Sequence, residues 1–276
     1  MVDILLSTYQ SEKYIEDQIN SILNQTYTEW KLIVRDDGSL DGTVQIINKY
    51  KSNYPDRVFI LNDNIDNIGT VKSFEYLLNS ANSEYIMFCD HDDIWLPDKI
   101  ATSILKMREV ENSNPDFPIL IHSDLTVIDG REDTIHSSFW CFSNLNPKLL
   151  AEFNYLGVCN GITGCTMLIN KKAREVSLPF SKEARMHDAW IALCVSKYGK
   201  IGYVDRPTVL YRQHEFNQIG AKEYKGLIDY AQVKLLNIKQ VVEQNRLQLQ
   251  MLHDLEYGSV LKYVCYKISY FIRTRL

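Results

Sequence analysis

Three carboxylates within four residues, Asp90, Asp92 and Asp93, close the stretch 84–95, EYIMFCDHDDIW. Residues 85–89 have the short apolar run of a buried strand, so these charges fall at the edge of a core. Like charges packed there repel and lose hydration; a strand does not end this way for its own stability. A D-x-D at a strand end suits a hard divalent cation, which takes oxygen ligands and few protein carboxylates when phosphates complete its shell. A solvated acidic loop is the plain alternative. A second acidic cluster, DDGSLDGT from Asp36 to Thr43, follows another apolar run at 32–35. Asp188, in MHDAW, stands in the first turn of an expected helix, where it serves either as a cap or as a base. His214 follows an expected strand, as a further ligand or as a satisfied edge-strand histidine. His91 reads as structural.

The elements that must position these residues alternate. Residues 2–6 form an apolar run, followed by a helix with Ile15, Ile19, Ile22 and Leu23 on one face and Ser11 as its N-cap. The strand at 32–35 leads through DDGSLDGT into a helix carrying Val44, Ile47 and Tyr50; residues 58–61 make a third strand, and Val71, Phe74 and Leu78 mark the next helix. This rhythm predicts a doubly wound, mostly parallel α/β sheet over the first ~120 residues. Both acidic loops then follow strands of one parallel sheet, so Asp36, Asp37, Asp90 and Asp92 converge on one crevice at its ligand-binding edge.

Pro97 and Asp98 open a helix through Ile100, Ile104 and Met107, and residues 119–127 form another strand. The pattern fades over 128–157, where Phe139, Trp140, Phe142, Phe153 and Tyr155 mark either a floppy excursion or an acceptor-binding lid. Gly161 and Gly164 precede a strand at 166–169 and either admit a ligand close to the backbone or make a tight turn. Closing strands are expected at 201–204 and 208–211. Beyond residue 226, Ile228, Ala231, Leu235, Ile238, Val242, Leu249 and Leu252 predict one long amphipathic helix, lying on the domain or pairing with its twin in a homodimer. The tail from Lys262 is basic, aromatic and free of acidic residues; it is too short to span a bilayer and suits an anionic membrane surface.

A chain of 276 residues, 45% hydrophobic and 24% charged, has the composition of a globular protein with a sizeable core. Its net charge of −5 argues against a nucleic-acid partner, which would need clustered Lys and Arg. The six cysteines show no C-x-x-C pair and read as reduced, mostly buried side chains. The N-terminus enters its first strand without a basic leader or long apolar run, so a cytoplasmic location is expected. The sequon at Asn24 then has no use.

Taken together, STYQSEKYIEDQINSILNQTY, DDGSLDGT, DHDDIW, ITGCTMLIN, HDAWIAL and VLYRQHEFNQIGAK, in order over residues 7 to 222, resemble the inverting glycosyltransferases of family 2. The last three segments are most similar to the branch that includes bacterial rhamnosyltransferases of surface-polysaccharide assembly. The resemblance implies a GT-A fold over 1–225 with a C-terminal helical extension over 226–276, a nucleotide-diphosphate sugar donor, and Mn²⁺ or Mg²⁺. It places Thr8, Tyr9, Asp36, Asp37, Asp90 and Gly164 on the nucleotide-sugar, Asp90, Asp92 and His214 on the metal, and Asp188 as general base, with His187 where the family more often has Glu. The implied donor is dTDP-rhamnose or a UDP-sugar, and the acceptor a saccharide or lipid-linked saccharide at the inner face of the cell membrane. Two alternatives stand beside this reading: a sugar nucleotidyltransferase, which would carry a Gly-rich basic loop after the first strand, and a non-catalytic nucleotide-sugar-binding partner of a synthase.

Overall fold

Apolar runs rich in Val, Ile and Leu build strands buried on both faces, and the helices that connect them cover those faces. In the computed structural model, which describes residues 1–62, 65, 67–214 and 238–275, the first half alternates strictly. Its elements are β1 (Val2–Thr8), α1 (Ile15–Leu23), β2 (Trp30–Asp36), α2 (Thr43–Asn53), β3 (Val58–Ile60), α3 (Thr70–Ser80) and β4 (Tyr85–Cys89). These four strands lie in the order β3-β2-β1-β4, all parallel. Register pairs Thr8 with Asp36 and Leu6 with Cys89, so the loops after β1, β2 and β4 leave the sheet at one edge.

The second half is mixed. It contains β5 (Ile94–Trp95), α4 (Lys99–Ser113), β6 (Ile119–Ile128), β7 (Thr134–His136), α5 (Phe139–Phe142), α6 (Pro147–Leu150), α7 (Phe153–Leu156), β8 (Leu168–Asn170), α8 (Lys171–Ser177), α9 (His187–Tyr198), β9 (Lys200–Arg212), α10 (Ile238–Asp254) and α11 (Val260–Arg275). β8 runs antiparallel between β4 and β6, β9 is parallel to β6, and β5 and β7 pair antiparallel to β9 and β6. The mostly parallel sheet therefore holds for β1–β4 and for the β6/β9 pair. The strand expected at 166–169 is shorter, because Gly164–Thr166 forms a 3-10 turn.

Alternate residues of β1 feed the two faces. Leu5 joins Phe74, Phe88, Leu120, Ile169 and Trp190 on one side. Ile4 and Leu6 join Ile19, Ile47, Met87, Trp95 and Val209 on the other. Met251, Leu252, Leu255, Tyr257 and Tyr263 of the C-terminal segment belong to the first of these cores, so residues 238–275 are packed into the domain they follow.

Several local expectations change. Ser11 does not cap α1 with its side chain: its Oγ accepts from Tyr9 N–H at 3.1 Å, and its carbonyl accepts from Tyr14 and Ile15. The two closing strands are one, β9, whose register with β6 shifts near Asp124 and Pro207, where proline has no donor for the ladder. The stretch 128–157 is not featureless: it holds β7 and three short helices, with Trp140, Leu150 and Leu156 buried. The helix expected through Leu252 ends at Asp254 as α10, and a turn with Glu256 and Gly258 in the left-handed region separates it from α11, which carries the basic tail. Ile228, Ala231 and Leu235 of its expected seam lie outside the described residues. Of the six cysteines only Cys89, Cys165 and Cys194 are buried; all six are free thiols. Gln25 of the sequon is buried and holds Leu96 O and Ile100 N–H, a structural task for this helix end.

The turn from α9 to β9 depends on Gly199, where a Cβ would stand 1.9 Å from the Pro118 carbonyl oxygen that receives Lys200 N–H at 2.8 Å. Backbone cannot yield as a side chain can. Gly199→Ala should cost about 3 kcal/mol, the upper end for overpacking. The check is urea unfolding, where the midpoint falls with an unchanged m value; an unchanged midpoint would contradict the packing described.

Candidate active site

The converging loops enclose a cavity of about 860 Å³. Among the described residues its lining includes Thr8, Tyr9, Asp37, Asp90, Asp92, Gly164, Asp188 and His214, so eight of the nine expected site residues share one cleft. Asp36 does not line it. Its carboxylate accepts from Thr8 Oγ1 at 2.8 Å, Ser39 N–H at 2.8 Å, Ser39 Oγ at 2.6 Å and Gly38 N–H at 3.2 Å, closing the turn after β2 and pinning it to β1. Asp37 faces the cavity in its place, where it accepts from buried Arg35 Nη1 at 2.7 Å, Ile68 N–H at 2.9 Å and Gly69 N–H at 2.8 Å. A carboxylate has about four lone-pair sites, so three donors orient Asp37 and leave room for one more.

At the end of β4 the acidic centre is tied to the end of β9. Arg212 donates its backbone N–H to Asp93 Oδ1 at 3.1 Å and its Nε to the Asp92 carbonyl at 3.0 Å, and pairs with Asp17 and Glu132. His214 Nε2 lies 2.9 Å from Asp92 Oδ2, its ring stacked on Tyr14 with centroids 5.0 Å apart, while the Arg212 guanidinium covers Tyr14 at 4.7 Å. Tyr14 and Arg212 went unassigned in the sequence. Neither carries a motif of its own, and their partners lie up to two hundred positions away.

Burial, then the charges of Asp92 and Asp188, push the Asp90 carboxyl up to about 8. Asp93, fully buried, is raised by burial, Asp92 and Asp90, and its Oδ2 finds no hydrogen-bond partner among the described residues. Ligand atoms of Asp90, Asp93 and Cys165 lie within 4.8 Å of one another. Burial pushes the Cys165 thiol up, keeping it protonated and a poor ligand for a hard ion. Buried Lys99, lowered to about 8 by burial, lies 4.7 Å above the Trp95 ring and supplies a compensating charge behind the cluster. Crowded oxygens, an orphaned carboxylate atom and a neighbouring imidazole are a donor set that fits Mn²⁺ or Mg²⁺.

Across the cleft Asp188 opens α9. Its Oδ2 accepts from Gly164 N–H at 3.0 Å and its Oδ1 from Ala189 N–H at 2.6 Å, so it holds the helix start while lining the cavity. Burial raises it to about 6, against the lowering pull of those two donors. His187 faces away from the cavity: it is buried, stacked on Phe74 at 3.7 Å, and lowered to about 3 by burial. A Cβ on Gly164 would come within 2.6 Å of His187 Nε2, which is why glycine stands there. His91, read as structural, also lines the cleft, as do Phe74, Phe139, Ile162 and Met186, an apolar wall with no sequence signal.

The acidic centre has a thermodynamic signature. A carboxyl raised from 3.8 to about 8 keeps a proton in the folded state that the unfolded state has released, so stability falls as pH rises through that window. Asp90→Asn removes this loss, and without divalent ions at pH 8 the variant should melt above the wild type, by roughly 2–4 °C per kcal/mol relieved. Excess Mn²⁺ should raise the wild-type melting temperature and leave the variant's nearly unmoved. A variant that melts lower in chelator would show that Asp90 is not under repulsion.

Comparison with known proteins identifies the family. The profile of Glycosyl transferase family 2 matches residues 3–177. The chain is 30% identical over 233 residues to dTDP-rhamnosyl transferase RfbG of Shigella flexneri, covering 78% of this chain and 74% of that protein. It is 28% identical over 245 residues to UDP-Glc:alpha-D-GlcNAc-diphosphoundecaprenol beta-1,3-glucosyltransferase WfaP of Escherichia coli, covering 87% and 88%. The crystal structure of S. aureus TarS 1–349 in complex with UDP-GlcNAc superposes with a TM-score of 0.60 at 16% identity, over 99% of this chain and 81% of that one; of the longer TarS chain, 36% is covered, with a TM-score of 0.58. That likeness shows a shared fold, and the profile match over most of the sheet shows the family: the chain belongs to glycosyl transferase family 2.

Proposed function

We propose that this glycosyltransferase moves a sugar from a nucleotide-diphosphate donor, dTDP-rhamnose or a UDP-sugar, to a saccharide or lipid-linked saccharide acceptor with inversion, in cell-surface polysaccharide biosynthesis. The observation that carries the reading is one cleft lined by two acidic groups of different setting: Asp90 and Asp92 with His214 at the ends of β4 and β9, and Asp188, raised to about 6, at the start of α9. RfbG is named for a dTDP-rhamnosyl donor and WfaP for UDP-glucose, which supports the pyrimidine-nucleotide class without choosing between them. Family membership leaves the nucleotidyltransferase alternative without support. The catalytic unit is taken to be 1–225, with 226–276 as its extension, working in the cytoplasm at the inner face of the membrane.

Thr8, Tyr9 and Asp37 take the nucleotide, Asp37 through the acceptor site that its three backbone and guanidinium donors leave open. The Gly164 backbone approaches the sugar. Mn²⁺ or Mg²⁺ held by Asp90, Asp92 and His214 would neutralise charge on the departing diphosphate. Asp188 takes the proton of the acceptor hydroxyl as that oxygen attacks the anomeric carbon, the sugar–phosphate bond breaks, and the nucleoside diphosphate leaves on the opposite face. The Gly164 and Ala189 donors hold the carboxylate in position, while burial keeps its basicity above that of a solvent-exposed aspartate. No protein nucleophile is required.

Asp188→Asn keeps the size and, with a single amide oxygen, can accept one of the two backbone hydrogen bonds, so activity should fall by about a hundredfold or more while donor binding holds and the melting temperature drops by only a few degrees. Survival of activity would reduce Asp188 to a cap. In the wild type kcat/KM should rise with pH up to about 6 and then level, because the base must be ionised to act. Asp92→Asn should abolish turnover and the Mn²⁺ dependence of donor binding together, and a product whose anomeric configuration matches the donor's would overturn the single displacement.

A further inference from the structure

α11 shows two faces of opposite character. Tyr263 and Tyr270 are 4% and 6% exposed. Around them Tyr266 meets the Tyr155 ring edge-on at 5.2 Å, Ser269 Oγ lies 3.1 Å from Tyr155 Oη, and Tyr263 Oη donates to Asn245 Oδ1 at 2.9 Å. This inner face fixes the helix on the domain and leaves the other turned outward. There Leu261, Val264, Ile268 and Ile272 recur at steps of three and four, and they are 72%, 43%, 56% and 48% exposed, with Val260 beside them at 61%. Single exposed apolar residues are ordinary, but a contiguous stripe along one helix is not.

Charge identifies the occupant. After Glu256 the described helix carries no acidic residue, while Lys262, Lys267, Arg273 and Arg275 give it positive charge. Lys262 lies over Tyr257 at 4.8 Å and donates to its carbonyl, and Arg273 lies over Tyr155 at 5.4 Å, so neither contact is with a carboxylate. A second copy of the chain paired through this helix would bring the same four cations against these, so self-pairing sets like charge against like. An anionic lipid surface offers what both parts need: an acyl boundary for the stripe and negative headgroups for its borders. Its 16 described residues rise about 24 Å against a hydrocarbon core of about 30 Å, and no described helix is long and apolar enough to cross a membrane.

We infer that the outward face of α11, Leu261, Val264, Ile268 and Ile272 with its basic flanks, docks the enzyme flat on an anionic bilayer. The inference sharpens the membrane location in the reading above to one surface, and flotation needs no donor, so either can fail alone. The full chain is floated with vesicles of phosphatidylcholine and phosphatidylglycerol, and with phosphatidylcholine alone. The wild type should partition onto the anionic vesicles at least about tenfold more strongly than onto neutral ones, and high salt should weaken it. Val264→Glu with Ile268→Glu, both at exposed positions, should lose about tenfold or more of that partitioning with melting temperature and nucleotide binding unchanged. Leu105→Glu, 71% exposed on α4, should float as the wild type does. Equal flotation of the double variant and the wild type, or absence of wild-type flotation, overturns the proposal. So does a wild-type dimer in sedimentation that the double variant converts to monomer with no lipid binding by either, which would assign the face to a second copy.

Discussion

Repulsion among the carboxylates at the end of β4, Asp92 and Asp93 buried and Asp90 partly so, is the constraint around which the rest is arranged. Asp90, Asp92 and Asp93 leave the sheet together, Asp188 approaches from across the cleft, and burial magnifies every unit of like charge. A fold that tolerates this must compensate from elsewhere in the chain. Arg212 does so from the end of β9, with its backbone on Asp93, its guanidinium on the Asp92 carbonyl, and its charge shared with Asp17 and Glu132. Lys99 does so from behind, where burial weakens its own charge. What remains uncompensated is directed at the cavity, where carboxyls raised by their crowding would give up their protons to a cation with a diphosphate on it.

The opposite wall solves a different problem. A base must be basic and fixed, and fixing a carboxylate with hydrogen bonds ordinarily makes it less basic. Asp188 reconciles the two by accepting backbone donors, Gly164 and Ala189 among them, while buried, with burial the larger influence. His187 supports it without lining the cavity: stacked on Phe74 and pressed against Gly164, the imidazole is packing material, kept neutral by its burial. The residue beside the base therefore shapes the backbone that holds the base.

The C-terminal helices are continuous with this architecture. α10 and the turn after it place Met251, Leu252, Leu255 and Tyr257 in the core that also holds Phe74 and Trp190, so the segment bearing the basic helix rests on the same packing as the active-site wall. Tyr257 Oη donates to Asn154 O at 2.6 Å, and Gly157 leaves space for the Tyr257 ring, where a Cβ would lie 2.5 Å from Cε2. The irregular stretch between β6 and β8 is thereby clamped between the cleft, through Phe139, and the helical extension, through Tyr155.

The sequence by itself determined the alternation of strands and helices through β4 and, from it, the meeting of the acidic loops, because parallel strands joined by helices place every such loop at one edge. It also singled out Asp37, Asp90, Asp92, Asp188 and His214, since charged residues at the ends of apolar runs stand out against the period of the run itself. Only the tertiary structure decided which of two adjacent aspartates turns inward: Asp36 and Asp37 are alike in sequence, and the donors of Thr8 and Ser39 settle one into the turn while Arg35 and the 68–69 backbone settle the other at the cavity. The same holds for the reversal of β8, the fusion of two expected strands into β9, the break before α11, and the placing of Tyr14 and Arg212 around His214. Each depends on partners tens to two hundred positions away. Local periodicity records which face of an element is apolar, but contact between distant elements is settled by packing and by the demand that every buried donor and charge find a partner.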